Sequence, residues 1–499
     1  MRKITSYTDR LRAVCLFGGV QGLNILIGLI RNKIAAVLLG PEGIGLMALY
    51  NSTLKLLNDS TGFGVSVSGV KSISETLDTN IISTLNESIT LVRTWSLLLG
   101  LFGMILCVVI SPLLSQFTFW CNGYIINFII LSPIILFVAV INGELAVLKG
   151  LRRLKSLAKI SVYNVIASLI VSVPLYYLFH IKGIIPALLL MTLSQIVIVI
   201  SYSYRVHPLQ LKFTWGTLVR GSSMIRIGIA FVFAGVLGAG TDYAVRVYLN
   251  SYAGVSTVGL FNAGYMLVMT YVGMLFAALE TDYFPRLSGL NNLQFSFNQT
   301  INKQIEITIL SSSPFLLAFL IFLPIILPLL YSGKFMPALA MIQIMLLGMY
   351  FRAMSLPVQY IPLSKGDSKS YLLLEAIYDI IVLCLVIVFY MIWGLKGIGC
   401  GIALASAIDA IVVLTYARFK YKYKLSSYIY IYFAIQFTIA LIALVLVLCC
   451  NGVIYWIIGI FLFIVSLSYS LWIIKKSTNL FSTLIARLTK NIVNRKCPK

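Results

Sequence analysis

What most limits the folds open to this sequence is its succession of apolar runs, each near or above the ~20 residues a helix needs to cross the hydrocarbon of a bilayer. They fall near residues 13–38, 44–70, 89–113, 124–148, 159–180, 184–204, 226–250, 258–283, 305–330, 337–362, 370–394, 397–417, 428–449 and 453–474, about fourteen in all. Charged residues make up only 11% of the chain and hydrophobic ones 60%. A soluble domain carries about 25% charged residues to cover its outside, so this chain could not solvate its own surface. The reading is an all-α polytopic membrane protein.

The charge balance is 38 Lys and Arg against 15 Asp and Glu, a formal +23. In a soluble chain that excess would suggest nucleic acid, but no zinc-knuckle spacing, RNP-like motif or detached basic domain accompanies it. The basic residues lie between the apolar runs: 30 of the 38 fall in segments on the N-terminal side of the membrane, and only Lys182, Lys334 and Lys396 fall in loops on the other. By the positive-inside bias both termini are expected in the cytoplasm, with contacts to anionic lipid. The first apolar run lacks a small-x-small cleavage site after a short core and reads as a retained helix.

Several function classes drop out. The eight cysteines show no CxxC spacing, and there is no P-loop or Walker signature. No cofactor or metal is expected. Outside loops are a few residues long, as at Ile181 to Gly183, and the longest inside connections are about twenty residues. Enzymes acting on an extracytoplasmic polymer need a sizeable external loop, so a non-enzymatic role is expected.

The chain also repeats itself at a constant offset. LGPEGIGL (Leu39 to Leu46) matches AGVSTVGL (Ala253 to Leu260), aligning Gly40 with Gly254 and Gly45 with Gly259; IKGI (Ile181 to Ile184) matches LKGI (Leu395 to Ile398) at the same offset of 214. Each copy holds six helices, an even number, so both enter the membrane from one side. Parallel repeats of this kind frame a central site in transporters. The expected organisation is an N-lobe over 1–210, a C-lobe over 211–424, two additional helices over 425–476 and a basic cytoplasmic tail over 477–499.

The segment RNKIAAVLLGPEGIGLMALYNS (Arg31 to Ser52), following a first helix, resembles the opening of the polysaccharide-transporter branch of the MOP superfamily, which includes O-antigen and capsule flippases. The extra pair of helices is similar to the fourteen-helix lipid II flippases of that superfamily. The resemblance implies two six-helix lobes working by alternating access in a bacterial inner membrane. It implies a cargo of undecaprenyl-diphosphate-linked oligosaccharide moved to the outer leaflet, with glycan polymerase and chain-length machinery as neighbours. In the resembling lipid II flippases, cavity arginines on the first helices of each lobe hold the diphosphate, and Arg31 and Arg246 are the matching positions.

Charges inside apolar runs need a reason, since each costs at least ~2.5–3.5 kcal/mol near mid-bilayer. Arg31, Lys55, Arg246 and Arg352 are candidates for a diphosphate site, guanidinium being suited to bidentate grip on phosphate oxygens. The competing expectation is neutralisation within one helix, because Lys55 and Asp59, and likewise Asp242 and Arg246, are spaced i,i+4. Glu375 and Asp379, also i,i+4, and Asp409 are candidates for coupling to H⁺ or Na⁺, since neighbouring carboxylates in a dry setting do not both ionise cheaply. Glu280, Asp282 and Glu144 read as anchors near helix ends. Gly22, Gly28 and Gly238 fit either close helix packing or bending at a lateral gate. The rival functions are a lipid II flippase or multidrug cation antiporter of the same superfamily, and a membrane glycan polymerase or ligase.

Overall fold

The computed structural model describes residues 7–78, 81–280, 282–290, 294–449 and 452–477. Arg2, Lys3 and the basic tail beyond residue 477 lie outside them. Among the described residues every regular element is helical and no strand occurs. Ten stretches among the described residues are long and apolar enough to cross a membrane, and the protein is a multi-pass membrane protein. Three of the ten, Gly22–Thr61, Leu154–Val206 and Ser368–Tyr421, run to 40, 53 and 54 residues. At 1.5 Å per residue the longest would reach roughly 80 Å, far beyond the ~30 Å hydrocarbon core. Each is broken by a turn and so holds two of the apolar runs.

The chain forms two compact units, residues Met1–Ala263 with Leu327–Met336, and Gly264–Ile326 with Pro337–Lys499. The first contains α1 (Tyr7–Thr61), α2 (Val65–Asp78), α3 (Ile82–Val109), α4 (Ser111–Phe119), α5 (Ile125–Leu131), α6 (Pro133–Gly150), α7 (Leu154–Phe179), α8 (Ile184–Val206), α9 (Trp215–Ala253) and most of α10 (Val255–Tyr265). Val65, Ile73, Ile89, Val92 and Val147 bury one another where α2, α3 and α6 meet. Ile141, Leu148, Ile160 and Val199 do the same for α6, α7 and α8. Beside them lies an ion pair sealed from solvent, Arg93 with Glu144, whose side chains are 2% and 3% exposed.

The second unit holds a π-helical turn over Met266–Val272, α11 (Gly273–Glu280), α12 (Tyr283–Ser288), α13 (Gln294–Leu330, whose last turn belongs to the first unit), α14 (Leu339–Ser364), α15 (Ser368–Tyr421), α16 (Ser427–Cys449) and α17 (Val453–Ser477). Here α14 is the central element, burying Met341, Met345, Leu346 and Met349. Asp367 caps α15, accepting hydrogen bonds from the Ser370 amide and hydroxyl. The Lys420 ammonium, 2.7 Å away, and these bonds hold the Asp367 carboxyl well below the usual carboxylate range. The last two helices pack by two devices. Phe351 of α14 meets Phe433 and Phe437 of α16. Gln436 of α16 donates to Ser470 and accepts from Ser466 on α17, a buried amide satisfied across the pair.

The repeat is written into the backbone. Gly40 and Gly254, 214 residues apart, both take positive φ, 65° and 81°, where a side chain is strained. The next pair is His180 (φ 48°, ψ −127°) and Gly394 (φ 58°, ψ −136°), one conformation at the same offset. Beyond each break the helices return so closely that a Cβ on Gly183 would strike the carbonyl of Leu175, and one on Gly397 the carbonyl of Phe389. Those contacts too are 214 apart. In the first unit the two copies touch directly: a Cβ on Gly45 would collide with the Val255 carbonyl, and one on Gly259 with the Pro41 carbonyl. The motif that aligned in sequence is thus a two-fold-related crossing of α1 and α10.

Candidate functional site

Of the four cations singled out by sequence, three lie in the first unit. Counting helix rise back from the paired glycine turns, Arg31 stands roughly 13 Å before Gly40 and Arg246 roughly 12 Å before Gly254, so their depths match. Their surroundings differ. Arg31 is half-buried against α7, donating from Nη1 to Ser168 Oγ at 3.3 Å and from Nη2 to Asn32 Oδ1 at 3.4 Å. Arg246 is closely held. Its side chain is 8% exposed, and Nη1 lies 3.6 Å from Asp242 Oδ1. The guanidinium donates to the Asp242 carbonyl at 2.7 Å and to Asn262 at 3.3 Å, and lies 5.6 Å from the centre of the Phe261 ring.

Lys55 joins Arg246 at Asp242 while keeping the charge of Asp59, one turn away on its own helix, within reach. Its ammonium lies 3.9 Å from Asp242 Oδ2, and its side chain is 57% exposed. Asp242 therefore serves both the intrahelical partner that spacing predicts and a lysine from α1. Two cations about one carboxylate leave a net positive cluster at the α1–α9 contact, with Lys55 as its accessible member. Lys33, nearer the Gly40 turn, donates to the Pro328 carbonyl at 2.6 Å.

The second unit contains a cavity of ≈ 280 Å³ among α11, α14 and α15, lined by Glu280, Arg352, Gln359, Tyr360, Tyr371 and Glu375 with apolar neighbours. Arg352 donates to the Met269 sulfur at 3.7 Å. Tyr360 donates to Glu280 Oε2 at 2.5 Å. Gln359 at the rim donates to Asp409 Oδ2 at 2.9 Å. Glu375, named from sequence, thus lines the cavity with Arg352, and Asp409 stands one hydrogen bond behind the wall, through Gln359. Asp379, half-buried one turn beyond Glu375, is not a lining residue. Two lining carboxyl groups, with Asp409 behind Gln359 as a third, against one guanidinium make this site richer in acid than the Lys55–Arg246 cluster.

Sequence reasoning missed Glu280, read as an anchor, because its partners are 72 to 95 positions away and no local spacing marks them. It also missed the Arg93–Glu144 pair for the same reason. Of the glycines assigned to gate flexibility, Gly22 and Gly28 would carry a Cβ with nothing within 4 Å. Close packing therefore does not account for them, and α1 runs through both without a break before Gly40.

The model of a family described as polysaccharide biosynthesis protein matches residues 34–340, more than half of the chain. The chain belongs to the polysaccharide biosynthesis protein family. Solved structures similar to this family member are MOP-superfamily transporters. A lipid II flippase, MurJ, in an inward closed conformation superposes with a TM-score of 0.69 at 15% identity, over 93% of this chain and 99% of that one. An inward-facing multidrug resistance MATE family transporter of the MOP superfamily gives 0.65 at 15%, over 80% and 94%. A MOP superfamily transporter from Pyrococcus furiosus, described as having a binding pocket of reverse polarity, gives 0.58 at 12%, over 82% and 95%. At these identities the likeness establishes the fold. No curated protein matches the polysaccharide biosynthesis protein by sequence.

Proposed function

We propose that this protein is a flippase that carries an undecaprenyl-diphosphate-linked oligosaccharide from the cytoplasmic to the outer leaflet of a bacterial inner membrane. It works by alternating access, both termini lie in the cytoplasm, and no covalent bond is made or broken. The carrying observation is the net positive cluster of Lys55, Arg246 and Asp242, with Arg31 at the depth of Arg246 on the duplicated helix. A diphosphate cannot cross hydrocarbon unaccompanied, and fixed cations inside the helix bundle supply the counter-charge. The family supports a polysaccharide precursor as cargo. About Asp242 the chain presents lysine and arginine, which suit an anionic cargo better than the cation of a multidrug antiporter.

Transport against a gradient needs a coupling ion, and the acidic cavity of the second unit is the place for H⁺ or Na⁺. Glu280 and Glu375 line it beside Arg352, with Asp409 one hydrogen bond away through Gln359, so the cavity gathers carboxyl groups that can take up a proton or a sodium ion.

The decisive experiment uses proteoliposomes loaded with lipid-linked oligosaccharide whose sugar is accessible to a membrane-impermeant label only after flipping. Wild-type protein should expose label, while Lys55→Ala and Arg246→Ala at equal reconstitution should slow exposure on the order of tenfold or more, the worth of one charge-assisted hydrogen bond. Wild-type rates from Arg31→Ala, Lys55→Ala and Arg246→Ala alike would remove the phosphate grip. Growth of the sugar chain by purified protein would make it a polymerase instead.

A further inference from the structure

Among the described residues three acidic side chains are buried: Glu144, Glu306 and Asp409. Glu144 has Arg93, and Asp409 accepts from Gln359. Glu306, on α13 in the second unit, is 6% exposed, yet it has no ion pair within 4 Å and its side chain accepts no hydrogen bond among the described residues. Both of its carboxyl oxygens keep a little open surface. A carboxylate taken out of water without a partner is costly, the more so in a membrane protein, so this one is placed to receive a cation from outside the chain.

Its surroundings say what kind. Asn302, one turn earlier on α13, holds the segment leading into α16. Its Nδ2 donates to the Lys424 carbonyl at 3.1 Å, and its Oδ1 accepts from the Tyr423 hydroxyl at 2.6 Å and the Ser426 amide at 3.4 Å. The two helices therefore run side by side from this point, and one turn on the charge of Glu306 reaches Tyr428 and Tyr432 of α16. The tyrosines continue as a set. The rings of Tyr428 and Tyr432 are 5.5 Å apart, and Tyr432 meets Tyr469 of α17 edge-on at 6.5 Å. Aromatic faces attract ammonium groups, so rings and carboxylate favour the same guest. Lys303 and Lys424, both exposed, flank the site, and Lys303 is unpaired with Glu306 although only three residues separate them. An anion is thus accommodated beside the cation. Tyr428, Ile431, Ile435 and Ile442 form one exposed stripe down α16, which gives acyl chains a bed.

We propose that Glu306, with Tyr428, Tyr432 and Tyr469, binds the primary ammonium of a zwitterionic phospholipid headgroup whose phosphate is met by Lys303 and Lys424. A primary ammonium brings three donors to the carboxylate, which a trimethylated one lacks. An anionic headgroup would bring like charge to Glu306. The bound lipid joins α13 to the last two helices.

The test is native mass spectrometry of purified, delipidated full-length protein without cargo, so it stands or falls separately from the flippase reading. Wild-type protein should hold dioleoyl phosphatidylethanolamine on the order of tenfold more tightly than the phosphatidylcholine or phosphatidylglycerol of the same chains. Glu306→Gln should erase that preference, and Tyr432→Leu should reduce it. Lys303→Ala should weaken binding of the ethanolamine and choline lipids alike. Glu75→Gln, an exposed carboxylate on α2, should bind as wild type does. Excess free ethanolamine should leave the lipid in place; displacement by it would make the ligand a soluble amine and overturn the assignment to lipid. Should Glu306→Gln fail to fold, Tyr432→Leu and Lys303→Ala carry the test. Equal binding of the three lipids by wild type overturns the proposal, as does a preference unchanged in Glu306→Gln, or binding unchanged in both Tyr432→Leu and Lys303→Ala.

Discussion

Arg93 and Glu144 show what a single residue can demand of a membrane protein. Arg93 Nε lies 2.9 Å from Glu144 Oε1, and its remaining donors reach the carbonyls of His207 and Pro208 at 3.0 and 2.7 Å. Ser203 donates to Glu144 Oε2 at 2.5 Å. Every charge is matched, so removing one partner strands the other in a dry interior. Glu144→Gln should destabilise the folded protein by about 3–5 kcal/mol, while Arg93→Met with Glu144→Leu should lose much less. Thermal unfolding of the purified variants decides; equal midpoints for Glu144→Gln and wild type would mean the pair is not sealed. Sequence spacing could not reveal this pair, since the partners are 51 positions apart. It sees only i,i+4 neighbours, so it offered Lys55 the nearby Asp59 and not Asp242, which the folded chain adds. Residue types were legible here and partners were not.

Elements were legible further, because periodic apolar runs and glycine motifs are local properties. The aligned glycines Gly45 and Gly259 prove to be the crossing point of α1 and α10, where neither tolerates a Cβ without backbone movement. Gly259→Ala should therefore cost about 1–3 kcal/mol, the range for forcing extra volume into a packed contact. Gly22→Ala, facing open space, should leave the unfolding midpoint close to wild type. The duplicated turns supply a prediction of opposite sign. His180 occupies a backbone conformation that its counterpart Gly394 adopts without strain, so His180→Gly should stabilise the protein by about 1 kcal/mol net of glycine's entropy. A lower midpoint for His180→Gly would show that the imidazole contributes more than the strained turn costs. The turns at Gly40, His180 and Gly394 fall at boundaries that the apolar runs already mark in the sequence.

At the scale of the whole molecule the two units differ in electrostatics: a net positive cluster around Asp242 in one, and Glu280 and Glu375 beside Arg352, with Asp409 behind Gln359, in the other. Composition alone, with its excess of 38 basic residues over 15 acidic ones, hides that division, because most of the basic residues lie between the apolar runs, away from both clusters. If the positive cluster grips the cargo's diphosphate and the acidic cavity takes the coupling ion, the two functions separate under mutation. Lys55→Ala should raise the concentration of lipid-linked oligosaccharide needed for half-maximal flipping and leave the dependence of rate on an imposed H⁺ or Na⁺ gradient in place. Glu375→Gln and Asp409→Asn should flatten that gradient dependence with little change in half-saturation. Rates in proteoliposomes measured against cargo at fixed gradient, and then against gradient at saturating cargo, give both quantities for each variant. A Lys55→Ala protein that loses its gradient response, or a Glu375→Gln protein defective only in half-saturation, would show that cargo and ion are not divided between the units in this way.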